Sequence, residues 1–128
     1  MSKNILIDTN IIIAHDRQDS DLYIKLLKFK KNNSSKLYLS PLVEYEYLYG
    51  IKQNKKSQQI ALNRLKQLEP VALNTTHIKL AIKIVKKYPI GKFDSMIAAT
   101  CILNNLELAT LNDKHFKMIN KLKIWAEK

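Results

Sequence analysis

Glycine is nearly missing from this chain, with two in 128 residues, and proline is scarce, with three. So few chain breakers leave little room for long flexible linkers, and there is no low-complexity segment and no internal repeat. Cysteine occurs once, at Cys101, so no internal disulfide can form, and a lone thiol fits a reducing cytoplasm. Its setting, Ala98-Ala99-Thr100-Cys101-Ile102, reads as a packed helix face, so the thiol is expected to be inert core. One cysteine and three scattered histidines (His15, His77, His115) make a poor zinc set. No run of about 18 apolar residues exists, so no transmembrane helix is expected. The first ten residues lack a basic stretch followed by a small-residue cleavage site, so no secretory signal is expected either.

Acid is the other shortage. Lysine and arginine number 22 against 11 aspartates and glutamates, a net charge of +11. A small basic protein is drawn to polyanions, of which nucleic acid is the commonest in a cytoplasm. Lysine dominates that charge and stands beside many Asn and Ile, a composition that an AT-rich coding sequence also produces without any function. The lysine-rich stretch Lys52 to Lys56 and the lysine pairs at 30–31 and 86–87 are ordinarily solvated helix ends or faces. Each is also a candidate contact to a phosphate backbone.

What is present supports a core. Hydrophobic residues make up 46% of the chain, enough to fold, and its length suits one domain over residues 1–128 and is too short for two. Apolar runs at 3–7, 36–39, 70–73, 106–110 and 122–125 read as short strands. Between them lie helical patterns, one carrying Leu22, Leu26, Leu27 and Phe29, another Ile60, Leu62, Leu65 and Leu68. Asn74 is a plausible N-cap for a helix with Ile78, Ala81, Ile82 and Val85, and after Pro89 and Gly91 a further helix should run from about 92 to 104. Strands alternating with such helices predict a doubly wound α/β domain, a short parallel sheet with helices on both faces.

The chemistry collects where strands end. Ile5-Leu6-Ile7-Asp8-Thr9-Asn10 is an apolar run that stops abruptly in a carboxylate, a hydroxyl and an amide. Such a triplet falls just past a strand's carboxyl end, where open α/β sheets place ligands. Asp8 there is either a site residue or the N-cap of the next helix. In Ser40-Pro41-Leu42-Val43-Glu44-Tyr45-Glu46-Tyr47-Leu48-Tyr49-Gly50, Ser40 is an N-cap followed by proline at the first helical position. Glu44 and Glu46 stand about 200° apart on that helix and cannot share a site. Glu44 belongs to the first turn and can stay solvated. Glu46, between Leu42 and Tyr49 on one face, is expected within an apolar surface where a carboxylate needs a partner. Tyr45, Tyr47 and Tyr49 could stack bases, although their spacing suits core or dimer packing better.

Asp94 opens a helix whose inward face carries Ile97, Ala98 and Cys101, and its alternative role is an N-cap. In Leu108-Ala109-Thr110-Leu111-Asn112-Asp113-Lys114-His115-Phe116 a strand ends at Thr110 and a polar turn enters a short helix. Asn112 or Asp113 could cap that helix or complete an oxygen-rich cluster beside Asp8. His115, three residues past the turn, is more often structural than a general base.

Asp8-Thr9-Asn10, Glu46 with Gly50 behind it, Asp94 followed by Ile97-Ala98-Ala99, and Thr110-Leu111-Asn112 with His115-Phe116 together resemble the ordered motifs of PIN-domain ribonucleases. The resemblance is closest to the VapC-type toxins of bacterial toxin–antitoxin pairs and spans residues 3 to about 119. It implies a PIN-like α/β fold, a metal-dependent endoribonuclease leaving a 3′-hydroxyl and a 5′-phosphate, a homodimer, and a small antitoxin that covers the acidic site. One departure stands out: many PIN domains carry Asp where this chain has Asn112. An amide oxygen can still contact a metal or its water, and Asp113 is the neighbouring carboxylate, so the fourth position stays open between the two.

Three carboxylates and an amide form an all-oxygen set, which hard cations such as Mg²⁺ or Mn²⁺ prefer. Such an ion would explain why like charges cluster, could acidify a water and could neutralise a phosphate. Asp8 and Asp94 are the expected direct ligands, and Glu46 a ligand or the base that orients the water. Asn112, with Asp113, would bind through water, while Thr9, Asn10 and Thr110 would support the ligands by hydrogen bonds. Lysines on the rim would hold RNA with salt-sensitive affinity. The rivals are a catalytically weak PIN-like module that only binds RNA or protein, and a phosphatase with Asp8 as nucleophile. The second normally shows another Asp two residues on, where this chain has Asn10. A receiver-type signalling domain is disfavoured because no paired acids follow the first strand.

Overall fold

The computed structural model describes residues 3–127. In chain order the elements are β1 (Ile5–Ile7), α1 (Thr9–Asp16), α2 (Leu22–Asn33), β2 (Leu37–Leu39), α3 (Pro41–Tyr49), α4 (Lys55–Leu65), β3 (Glu69–Pro70), α5 (Thr75–Lys87), α6 (Lys92–Asn104), β4 (Glu107–Ala109) and α7 (Asp113–Phe116). The four strands form one parallel sheet in the order β3-β2-β1-β4. Ile5, Leu6 and Ile7 are wholly buried, as an unbroken apolar run in a covered central strand must be.

This order fixes where the helices go. From β1 the chain steps to β2 and then β3, and it returns past β1 to reach β4. With right-handed crossovers, α1 to α4 cover one face and α5 and α6 the other. The packing agrees, with α1 against α2 and α3 on one side and α5 against α6 on the other. The direction of winding reverses between β1 and β4, and there the carboxyl ends of two neighbouring strands open a crevice.

Local chemistry sets the helix starts. Ser40 Oγ accepts from the Leu42 N–H ahead of Pro41, and Asn74 with His77 forms a full capping box at α5. The helix expected over 92–104 is α6.

Three expectations need correction. The run at 122–125 is no strand: it makes a single bridge, in which the Leu108 N–H donates to the Lys123 carbonyl (2.9 Å) and the Trp125 N–H to that of Leu108 (2.8 Å). Lys121 just before it adopts a left-handed φ of 71°, and Trp125 packs edge-on against Phe29 of α2, so the chain stays extended along the sheet only briefly. The run at 70–73 yields only the edge strand Glu69–Pro70, consistent with a proline that has no N–H to give a central ladder. Third, α4 and α5 bury narrower stripes than their apolar patterns suggest. Ala61 and Leu65 face inward on α4, and His77, Ala81 and Ile84 on α5, while Ile60, Leu62, Ile78 and Ile82 are exposed.

Candidate active site

The crevice between β1 and β4 is closed at its floor by one backbone bond, from the Asp8 N–H to the Ala109 carbonyl (3.0 Å). That bond sets Asp8 beside Thr110. The Asp8 side chain is both cap and site residue, so the two readings of the sequence are not exclusive. Its Oδ1 accepts from the Thr9 N–H (2.8 Å), capping α1. Its Oδ2 accepts from Thr110 Oγ1 (2.9 Å) and, at longer range, from Asn10 Nδ2 (3.4 Å). Asn10 Nδ2 also donates to Thr110 Oγ1 (3.2 Å), and Asn10 Oδ1 accepts from the Leu111 N–H (3.1 Å). Thr110 Oγ1 in turn accepts from the Asn112 N–H (3.0 Å), which ties the fourth segment to the first.

Asp8 is 7% exposed and, among the described residues, enters no ion pair. Burial raises its carboxyl above the ordinary range. The bonds from Thr110 and Thr9 pull it back, and the negative charges of Asp94 and Glu46 push it up again. Asp94 lies in the first turn of α6, half-buried. It is not the N-cap: Gly91 holds that position with no side-chain bond. Burial raises the Asp94 carboxyl too, and the nearby His115 opposes that rise.

Glu46 departs from expectation. It is exposed, because α3 turns Val43 and Tyr47 inward and leaves Tyr45 and Tyr49 stacked in solvent with ring centroids 6.0 Å apart. Its Oε1 accepts from Thr9 Oγ1 (3.2 Å), and that bond brings it to the Asp8 side of the crevice. Glu44 is exposed as well. Asn112 is exposed at the start of α7 and makes no capping bond, its Nδ2 lying 2.7 Å from His115 Nδ1. Asp113 is exposed and its side chain joins none of these contacts, and among the described residues the Asn112 side chain meets only His115.

The structure thus links Asp8, Thr9, Asn10, Glu46, Thr110 and Asn112 by hydrogen bonds and adds Asp94 through its field. Among the described residues, no three His, Cys, Asp or Glu side chains are gathered closely enough to enclose an ion on their own. A hard cation that keeps several waters and takes few carboxylates suits so open an all-oxygen set. Asp8, buried and without an ion-pair partner among the described residues, is the observation that fits such an ion best, since a bound positive charge removes the cost of its ionisation.

Two groups make contacts that the sequence did not foretell. His115 lies against Asn112, and its three-residue spacing from Asn112 was the available signal. Asp16, at the far end of α1, accepts from Tyr47 Oη (2.5 Å) and pairs closely with Arg64 of α4. Nothing local in the sequence foretells that link.

Comparison with known proteins gives consistent matches. The sequence model of the PIN domain matches residues 5–122. A Ribonuclease VapC of Rickettsia bellii is 31% identical over 94% of this chain and 93% of its own length. Ribonuclease VapC19 of Mycobacterium tuberculosis is 30% identical over 91% and 95%. Among solved structures, VapBC2 from Rickettsia felis bound to a promoter DNA fragment superposes with a TM-score of 0.81 at 26% identity, over 96% of this chain and 99% of that one.

Proposed function

The chain belongs to the PIN-domain family and, within it, to the VapC-type ribonucleases, and on that premise we propose that it is the toxin of a toxin–antitoxin pair. It is an endoribonuclease that hydrolyses RNA phosphodiester bonds and is inhibited by a small cognate antitoxin. We further propose one nuclease domain over residues 1–128, a homodimer, and action in the cytoplasm. Among the described residues no helix is long and apolar enough to cross a membrane. The observation that carries the reading is Asp8, buried without an ion-pair partner among the described residues, at the switch point of the sheet and within the fields of Asp94 and Glu46.

Asp8 and Asp94 would hold the divalent ion, Mg²⁺ or Mn²⁺, with Glu46 and Asn112 completing its surroundings. Such an ion, once bound, would supply a more acidic water and neutralise charge on the phosphate. The chain's own residues supply the rest. Thr110, Asn10 and the Thr9 N–H hold the Asp8 carboxylate in one orientation, so it needs no rearrangement when substrate arrives. Glu46, solvated and held by Thr9, accepts the proton of the attacking water. The water oxygen bonds to phosphorus in line with the departing 3′ oxygen, which takes up a proton. The products are a 3′-hydroxyl and a 5′-phosphate. The net charge of +11 holds the RNA backbone, so binding weakens as salt rises.

The test is direct. Purified protein with Mg²⁺ or Mn²⁺ should cleave RNA, EDTA should stop it, and Asp94→Asn should abolish it. Expression without the antitoxin should arrest growth. A wild-type protein that binds RNAs with metal present, yet leaves them all intact, would instead be a binding module.

A further inference from the structure

An amide at the fourth position raises a problem that an acid does not. A carboxylate offers oxygen whichever way it turns, whereas a carboxamide offers oxygen in one orientation and an NH₂ donor in the other. Donors repel a cation, so Asn112 serves the site only if something selects its orientation.

His115 is placed to do so. Its Nδ1 lies 2.7 Å from Asn112 Nδ2, and a neutral imidazole protonated on Nε2 accepts there. The spacing is held by the backbone: the His115 N–H donates to the Asn112 carbonyl (3.1 Å), and the Asn112 N–H donates to Thr110 Oγ1 (3.0 Å). Phe116, next along the turn, is 1% exposed and anchors α7 in the core, which holds the backbone from which His115 projects. With Nδ2 occupied, Oδ1 is the atom of Asn112 left for the site.

Building on the function proposed above, we infer that His115 is a positioning residue that fixes the Asn112 carboxamide with its oxygen free for the cation, letting an amide stand where an acid would serve. His115 acts through Asn112 and touches no reacting atom.

A double-mutant cycle read by Mn²⁺ binding tests this. Free Mn²⁺ would be measured by electron paramagnetic resonance with full-length wild type, His115→Ala, Asn112→Asp and the double variant, each first shown to fold by its melting curve. Loss of a residue that orients a ligand typically lowers metal affinity about 10-fold or more. We expect that loss for His115→Ala in the wild-type background and little change when Asn112→Asp is already present, because a carboxylate needs no orienting. His115→Gln, which keeps an acceptor, should recover part of the affinity. Equal losses in both backgrounds, or no loss in either, would overturn the inference alone. If Asp8→Asn also leaves Mn²⁺ binding unchanged, the metal site itself falls, and the functional reading with it.

Discussion

Asp8 caps the amino end of α1 and Asp16 closes its carboxyl end, so one eight-residue helix carries a carboxylate at each terminus. The helix dipole favours the first and disfavours the second. Their surroundings invert that order. Asp16, at the unfavourable end, pairs with Arg64 and accepts from Tyr47. Asp8, at the favourable end, is buried among neutral donors, with two more carboxylates in range and, among the described residues, no ion-pair partner. Where a carboxylate serves the fold, this chain brings the opposite charge from its own sequence. Where it serves the site, the positive charge is left to come from outside.

That contrast is sharpened most strongly by metal. Saturating Mn²⁺ should stabilise the wild type and Asp16→Asn alike, by about 2.7 kcal/mol at a hundred times Kd. Asp8→Asn should show little of that gain, as thermal melts with and without Mn²⁺ would reveal. An equal gain for Asp8→Asn would break the comparison.

A smaller effect is expected at the other end of the helix. Asp16→Ala strips the buried Tyr47 hydroxyl of its acceptor and Arg64 of its partner, and should cost about 2 kcal/mol in urea unfolding. Cleavage per folded molecule should change little.

The smallest effect concerns pH. Burial raises the Asp8 carboxyl, so the folded state holds that proton more tightly than the unfolded state does. Its contribution to stability is therefore best below the ordinary value of 3.8 and is lost as pH rises through the raised folded value. In EDTA, Asp8→Asn should melt above the wild type at neutral pH, with the gap closing on acidification. A gap that widens in acid would reverse the sign of the argument.

Strands β1, β2 and β4, the caps at Ser40 and Asn74 and the crevice were legible because local chemistry determines them. The runs at 70–73 and 122–125 were not, since pairing along a sheet edge is set by the fold. Ile5 to Asn10 announces a buried strand and a polar turn, and Ser40-Pro41 and Asn74 announce helix starts by their own hydrogen bonds. Burial was less legible, since periodicity describes a helix's faces without saying how much of each is covered. Glu46 was expected among apolar neighbours and lies in solvent, and Ile60, Leu62, Ile78 and Ile82 are exposed for the same reason. The Asp16–Arg64 pair spans 48 positions, a distance that only the fold closes. The contact between His115 and Asn112 depends on side-chain rotamers, which residue spacing does not set.

The most direct test sets the two ends of α1 side by side on one substrate. Cleavage of a single RNA would be followed with wild type, Asp8→Asn and Asp16→Asn, each in Mn²⁺ and in EDTA. The account predicts cuts by wild type and Asp16→Asn in Mn²⁺ alone, with Asp8→Asn slower by about 10²-fold or more. Cleavage by Asp8→Asn at the wild-type rate, or cutting that persists in EDTA, would contradict it.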